Sequence, residues 1–137
     1  MNESTLAKTF QVAAVQLVST PDPAENCDTV ARLVRAAASG GAQLVLLPEY
    51  WPILGRTDHD KVTIAEPIGD GPLQTFLAEL ARECGIWLLG GTLPLQSGHA
   101  GKVLNSLLAY SPDGTLAARY DKIHLFGFTR GEESYDE

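Results

Sequence analysis

A glutamate, a lysine and a histidine stand at positions where their chemistry needs explaining. Glu49 directly follows the apolar run AQLVLLP. A carboxylate at the carboxyl end of a buried strand lies where ligand sites of α/β sheets gather, so Glu49 is a candidate to meet a ligand; a helix cap or a surface salt bridge is equally compatible with its position. Lys122 sits between Asp121 and the apolar-flanked stretch Ile123, His124, Leu125 and Phe126. An ammonium in mostly apolar surroundings needs a partner or a task. The bland alternative is an exposed strand-end lysine paired with Asp121. His124 carries an imidazole and is an acid–base candidate, although a lone His between Ile and Leu is more often a core or half-buried residue with one hydrogen bond.

Other chemistries find little support. A nucleophilic thiol must be exposed and lie beside a base or cation, whereas Cys27 and Cys84, the two cysteines of the chain, fall on the apolar faces of predicted helices and read as packing residues. They are too few for a disulfide scaffold. Without HExxH or CxxC, no metal site is expected. Neither GxGxxG nor GxxxxGK[ST] occurs, so no phosphate cradle is signalled. Asn105 interrupts the apolar stretch VLNSLLAY and, if buried, must find partners for its amide.

The elements that would position these residues follow from periodicity and punctuation. FQVAAVQLV reads as a central strand covered on both faces. Asp22 can cap a helix with Pro23 at its first position and Glu25 three residues on, a variant of the capping box. Cys27, Val30, Ala31, Val34 and Ala38 then recur at helical spacing until Gly40 and Gly41. AQLVLLPEY follows as a buried strand. Trp51 to about Ile68 shows neither helical nor strand period, and a connection of that length is often functional, here as a pocket wall. Gly71 and Pro72 open a second helix with Leu73, Phe76, Leu77, Leu80, Ala81 and Cys84 on one face and Gln74, Glu79, Arg82 and Glu83 opposite. IWLLGGTLP reads as a third buried strand, and VLNSLLAY and TLAARYDKI as a hairpin across Ser111-Pro112-Asp113-Gly114. RGEESYDE is expected to close on neither helix nor strand. The order predicts an α/β layered fold in which helices cover a sheet containing some antiparallel strands.

Bulk properties narrow the partners. The chain has 137 residues, 45% of them hydrophobic, and a formal net charge of −7, which suits one core-forming domain and argues against a nucleic-acid partner. No apolar run reaches the roughly 18 to 20 residues that span a bilayer, and the opening MNESTLAKTF lacks the pattern of a signal peptide. No membrane partner and a cytoplasmic location are therefore expected, and the sequon at Asn2 carries no weight.

Taken together, VAAVQL, LVLLPEY around Glu49, GGT after the third strand, NSLLAYSPDG and ARYDKIHLF around Lys122 resemble the nitrilase superfamily of carbon–nitrogen hydrolases in order and spacing. The resemblance implies an αββα sandwich with a glutamate–lysine–cysteine triad. Glu49 corresponds to the general base and Lys122 to the cation that steadies the oxyanion. Glu137 matches a second glutamate that orients substrate and lysine, with Glu132 and Glu133 less suitable. The implied substrate is a small amide, and DKIHLFGF is most similar to the Nit-type branch acting on ω-amides of dicarboxylic acids or on deaminated glutathione. No cofactor is implied, and a homo-oligomer is expected at full length.

This sequence departs from the family pattern in lacking a cysteine downstream of Lys122. It is therefore expected to be the N-terminal part, residues 1–137, of one truncated hydrolase domain, inactive alone and prone to associate through uncovered apolar surface. A monodisperse, cooperatively melting monomer would contradict that last expectation. A non-catalytic binding or assembly module derived from the same fold is the alternative. A flavodoxin-like binder fits less well, because VSTPDPAEN with its prolines makes a poor phosphate loop.

Overall fold

The computed structural model describes residues 9–57, 59–131 and 133–136. In chain order the elements are β1 (Val12–Ala14), α1 (Pro23–Ser39), β2 (Leu44–Leu46), α2 (Asp60–Thr63), α3 (Pro72–Cys84), β3 (Trp87–Gln96), β4 (Val103–Tyr110), β5 (Leu116–Asp121), β6 (Gly127–Arg130) and β7 (Glu133–Asp136). β1 to β5 form one sheet in sequential order, with β1, β2 and β3 parallel and β3, β4 and β5 antiparallel. This is the layered α/β architecture with a mixed sheet that the element order predicts.

Helix α1 begins where its punctuation says it should, with Asp22 accepting the Ala24 N–H at 2.9 Å and Pro23 in the first turn. Glu25 does not close the expected box directly. Thr20 intervenes, its hydroxyl donating to Glu25 at 2.8 Å and accepting the Asp22 N–H at 3.2 Å. Val30 and Val34 of α1 and Leu77, Leu80 and Ala81 of α3 belong to one core with Val45, Leu88 and Leu108 of the sheet. All of these side chains are buried. Each large aliphatic one contributes about 1.5–3 kcal/mol through the area it removes from water.

The prediction of a central first strand covered on both faces is not met. Among the described residues β1 lies at the edge of the five-stranded sheet, and Val12 is 65% exposed. Leu46 and Trp87, which flank the buried Val45 and Leu88, are also exposed. Successive strand residues point to opposite faces, and among the described residues the helices cover only one of them. A run apolar on both faces records what each face tolerates, not which strand lies at the edge.

Gln74 also departs from its predicted place on the exposed side of α3, being buried. Its amide donates to Glu66 at 3.0 Å and to the Pro67 and Asp70 carbonyls at 2.8 and 3.0 Å. The Glu66 carboxylate, also buried, accepts the Leu73 and Gln74 N–H groups at 2.6 and 3.1 Å. The first turn of a helix leaves N–H groups without intrahelical partners. Gly71 at the cap has no side chain to meet them, so Glu66 supplies the cap from a distance and Gln74 is drawn inward with it. Leaving such buried donors unsatisfied costs about 1–3 kcal/mol.

The 51–68 connection is more ordered than its lack of period suggests. Trp51, Pro52 and Ile53 are buried, the Trp51 indole donates to the Gly90 carbonyl at 2.8 Å, and α2 lies within the segment. The end of the chain also differs from expectation, because β6 and β7 pair antiparallel from Gly127↔Asp136 to Arg130↔Glu133. Gly131, at φ +64°, supplies the left-handed backbone that this two-residue connection needs.

Candidate active site

The turn carrying Glu49 is built by β2 and β3 together. Leu47 donates its N–H to the Leu89 carbonyl at 3.0 Å, and Thr92 donates to the Pro48 carbonyl at 3.3 Å. The Thr92 hydroxyl accepts the Tyr50 N–H at 2.9 Å. That bond helps hold Tyr50 at φ +48°, a conformation non-glycine residues seldom adopt. The two strands approach this closely because of Gly91, whose φ is +61° and whose added Cβ would collide with the Pro48 carbonyl oxygen. The GGT segment is also where the β3–β4 register shifts, between Leu89 and Thr92.

Lys122 is positioned by the β4–β5 hairpin. Its N–H donates to the Asn105 carbonyl at 2.9 Å, in continuation of the Ser106↔Asp121 pairing. The reading that pairs Lys122 with Asp121 is corrected here. Asp121 accepts the Ser106 hydroxyl at 2.6 Å and two Arg119 nitrogens at 2.8 and 2.9 Å. The Arg119 contact leads in holding its carboxyl below the usual range, with Ser106 adding to the effect. The Lys122 ammonium instead reaches Glu49 Oε1 at 3.0 Å.

Asn105 completes the cluster by donating its side-chain amide to the same Oε1 at 2.8 Å. Glu49, Asn105 and Lys122 line a hollow of about 350 Å³ with Thr92, Leu107 and Tyr120. A second hollow, about 640 Å³, lies against Glu49 and Tyr50 and is lined by Leu54, Arg56 and Lys61 of the 51–68 connection. The Lys61 ammonium sits 4.0 Å over the Tyr50 ring. The Glu49 side chain is 55% exposed and that of Lys122 28%. An ion pair this open to solvent adds little stability, and its significance lies in bringing an acceptor and a cation together at the edge of a cavity.

The remaining candidates lie elsewhere. His124 is exposed at φ +64° and does not line the 350 Å³ hollow. The core or half-buried reading is therefore corrected. Its apolar neighbours Ile123, Leu125 and Phe126 are exposed as well, because the chain turns away from the sheet after β5. Glu137 and Glu132 lie outside the described residues, and Glu133 is placed only as the first residue of β7. Among the described residues no group of three or more His, Cys, Asp or Glu is arranged to hold a metal ion, and no helix is long and apolar enough to cross a membrane.

Both cysteines pack against the core from helix positions. Burial, then Asp28 and Glu66, push the Cys27 thiol up to about 11. The Cys84 thiol is also raised, by burial and Glu83 against an opposing Arg35. The thiolate is the reactive form, so at pH 7 Cys27 should alkylate with iodoacetamide at least about tenfold more slowly than a free thiol, and Cys84 should also be slowed. Labelling of native protein at the free-thiol rate, followed by peptide mass mapping, would refute this.

Sequence reasoning singled out Asn105 without locating its partner, and it missed the dependence of the Glu49 turn on Gly91. The signals available were one amide in an apolar strand and a glycine pair inside another.

The carbon–nitrogen hydrolase family profile matches residues 11–137. The omega-amidase NIT2 of Xenopus tropicalis is 38% identical over 117 residues, covering 85% of this chain and 41% of that protein. The human deaminated glutathione amidase is 38% identical over 117 residues, covering 83% of this chain and 36% of that protein. Among solved structures, Nit3 of Saccharomyces cerevisiae, a member of branch 10 of the nitrilase superfamily, superposes with a TM-score of 0.75 at 28% identity, covering 85% of this chain and 45% of that one. The chain thus spans about two fifths of the length of the omega-amidases it matches.

Proposed function

Because this chain belongs to the carbon–nitrogen hydrolase family, we propose that Glu49 and Lys122 are the general base and the oxyanion-stabilising cation of an amide-hydrolysing site. The observation that carries this reading is the 3.0 Å approach of the Lys122 ammonium to Glu49 Oε1 beside an open hollow. A carboxylate and an ammonium held in this way provide a proton acceptor and a fixed positive charge within reach of one bound carbonyl.

The nucleophile in this reading is a cysteine of the full-length protein, since Cys27 and Cys84 are helix residues with raised thiols. Glu49 takes the thiol proton and the sulfur attacks the amide carbon. The resulting oxyanion is stabilised by Lys122. Collapse breaks the C–N bond as the proton on Glu49 passes to the departing nitrogen, which leaves as ammonia and yields a thioester. Water then attacks the thioester, Glu49 takes the water's proton, and the free acid leaves while the thiol is restored.

The names of the two curated relatives support an ω-amide of a dicarboxylic acid, or a related amide with an anionic end, as substrate. Glu137 is assigned the orienting role that the family resemblance gives it. The reading also takes the enzyme to be cytoplasmic and homo-oligomeric at full length. The test is to assay the full-length protein for ammonia release from the monoamide of a four- or five-carbon dicarboxylic acid, with intact-mass detection of the acyl adduct. Absence of both turnover and adduct would exclude the activity.

A further inference from the structure

We propose that Asn105 is a positioning residue that holds the proposed base and the proposed cation in register, an inference that rests on the amidase reading above. Asn105 contacts both. Its side-chain amide donates to Glu49 Oε1 at 2.8 Å, and its main-chain carbonyl accepts the Lys122 N–H at 2.9 Å. The residue is 2% exposed, so its side chain is enclosed and presents the amide in a fixed direction. Glu49 and Lys122 are 73 residues apart in the chain, and Asn105 gives the two one rigid point of reference.

The choice of side chain follows from this task. An amide N–H orients a carboxylate and favours its ionised form without adding a charge that would compete with Lys122. A lysine or arginine here would form its own ion pair with Glu49. Leucine would suit the surrounding VLNSLLAY pattern, yet it would remove this donor. Placing a polar group in an otherwise apolar, buried strand position is unfavourable unless the group is hydrogen-bonded, and at Asn105 the Glu49 carboxylate makes that bond. Both donors meet at Oε1, which fixes the rotation of the carboxylate about its last bond.

The sign of the expected pH effect follows from the same contact. A donor to the carboxylate lowers the pH at which Glu49 ionises, so losing it raises that pH. The base acts in its ionised form, and the acid limb of kcat/KM therefore moves upward. In the full-length enzyme, Asn105→Leu should shift that limb by about one pH unit and lower kcat by about tenfold or more with little change in KM. Asn105→Asp, which keeps the shape and adds a like charge, should shift the limb further in the same direction.

A residue that only fills the core would change the melting temperature and leave the limb in place. An unshifted acid limb in folded Asn105→Leu, or in Asn105→Asp if the leucine variant does not fold, would overturn the proposal. If the full-length wild-type protein shows no amidase activity, the reading of the previous subsection fails instead. The positioning role is then judged from the 13C titration of the Glu49 carboxyl. An upward move of its midpoint in Asn105→Leu supports the role, and an unmoved midpoint overturns it.

Discussion

If Glu49 is the proposed general base, Glu49→Gln in the full-length protein is expected to lower kcat/KM for amide hydrolysis by about a thousandfold, in the upper part of the range for removing such a base. Glutamine keeps the shape of the side chain and an oxygen that can accept from Asn105 and Lys122, so the turn should survive. What it loses is basicity. With 55% of the side chain exposed, the substitution should alter stability little. Lys122→Ala should cost about a hundred- to a thousandfold, the loss typical of removing one oxyanion donor. The double variant should be little worse than Glu49→Gln alone, since in the proposed mechanism the two groups act on one intermediate. Folded variants that keep activity within tenfold of wild type would show that the assigned roles are wrong.

Gly91→Ala is the substitution expected to damage both fold and site most. An alanine at φ +61° carries the penalty of left-handed backbone, about 1–2 kcal/mol. Its Cβ would also run into the carbonyl oxygen of Pro48 and the backbone of Leu47, and neither can swing aside as a flexible side chain can. The turn bearing Glu49 must move, and a total loss of about 3 kcal/mol or more is expected. Gly85 provides the control, because it has nearly the same φ, +63°, with nothing within 4 Å of an added Cβ. Gly85→Ala should lose only the conformational part. Urea denaturation of the two variants gives the comparison, and equal losses would remove the close approach as the role of Gly91.

Much of the fold was legible because its signals are local. Asp22 and Pro23 mark the start of α1, Gly71 and Pro72 open α3, and Gly85 ends it in the left-handed conformation. What failed to show depends on partners distant in sequence. Gln74 looked like a surface residue until Glu66, eight residues earlier, drew it inward. The edge position of β1 among the described residues comes from sheet order, which apolar composition does not encode.

The site was legible only in part. The resemblance nominated Glu49 and Lys122, while the residues alone left each with a bland alternative. Pairing Lys122 with Asp121 fails for a simple reason: adjacent strand residues point to opposite faces, whereas Arg119 and Asp121, two apart, share one. The aspartate accordingly pairs with the arginine. No rule of spacing brings residue 49 to residue 122, and that approach emerges only once β2, β3, β4 and β5 lie side by side.

The same sheet order has a kinetic corollary. β3, β4 and β5 are joined by short turns and can zip together early, whereas β1 and β2 must await crossovers through α1 and α3 before pairing in parallel. Glu49 rides on the late-arriving half and Lys122 on the early one. The ion pair between them should thus mature near the end of refolding, with β4 amides protected from exchange before those of β2; the reverse order in pulse labelling would refute this sequence of events.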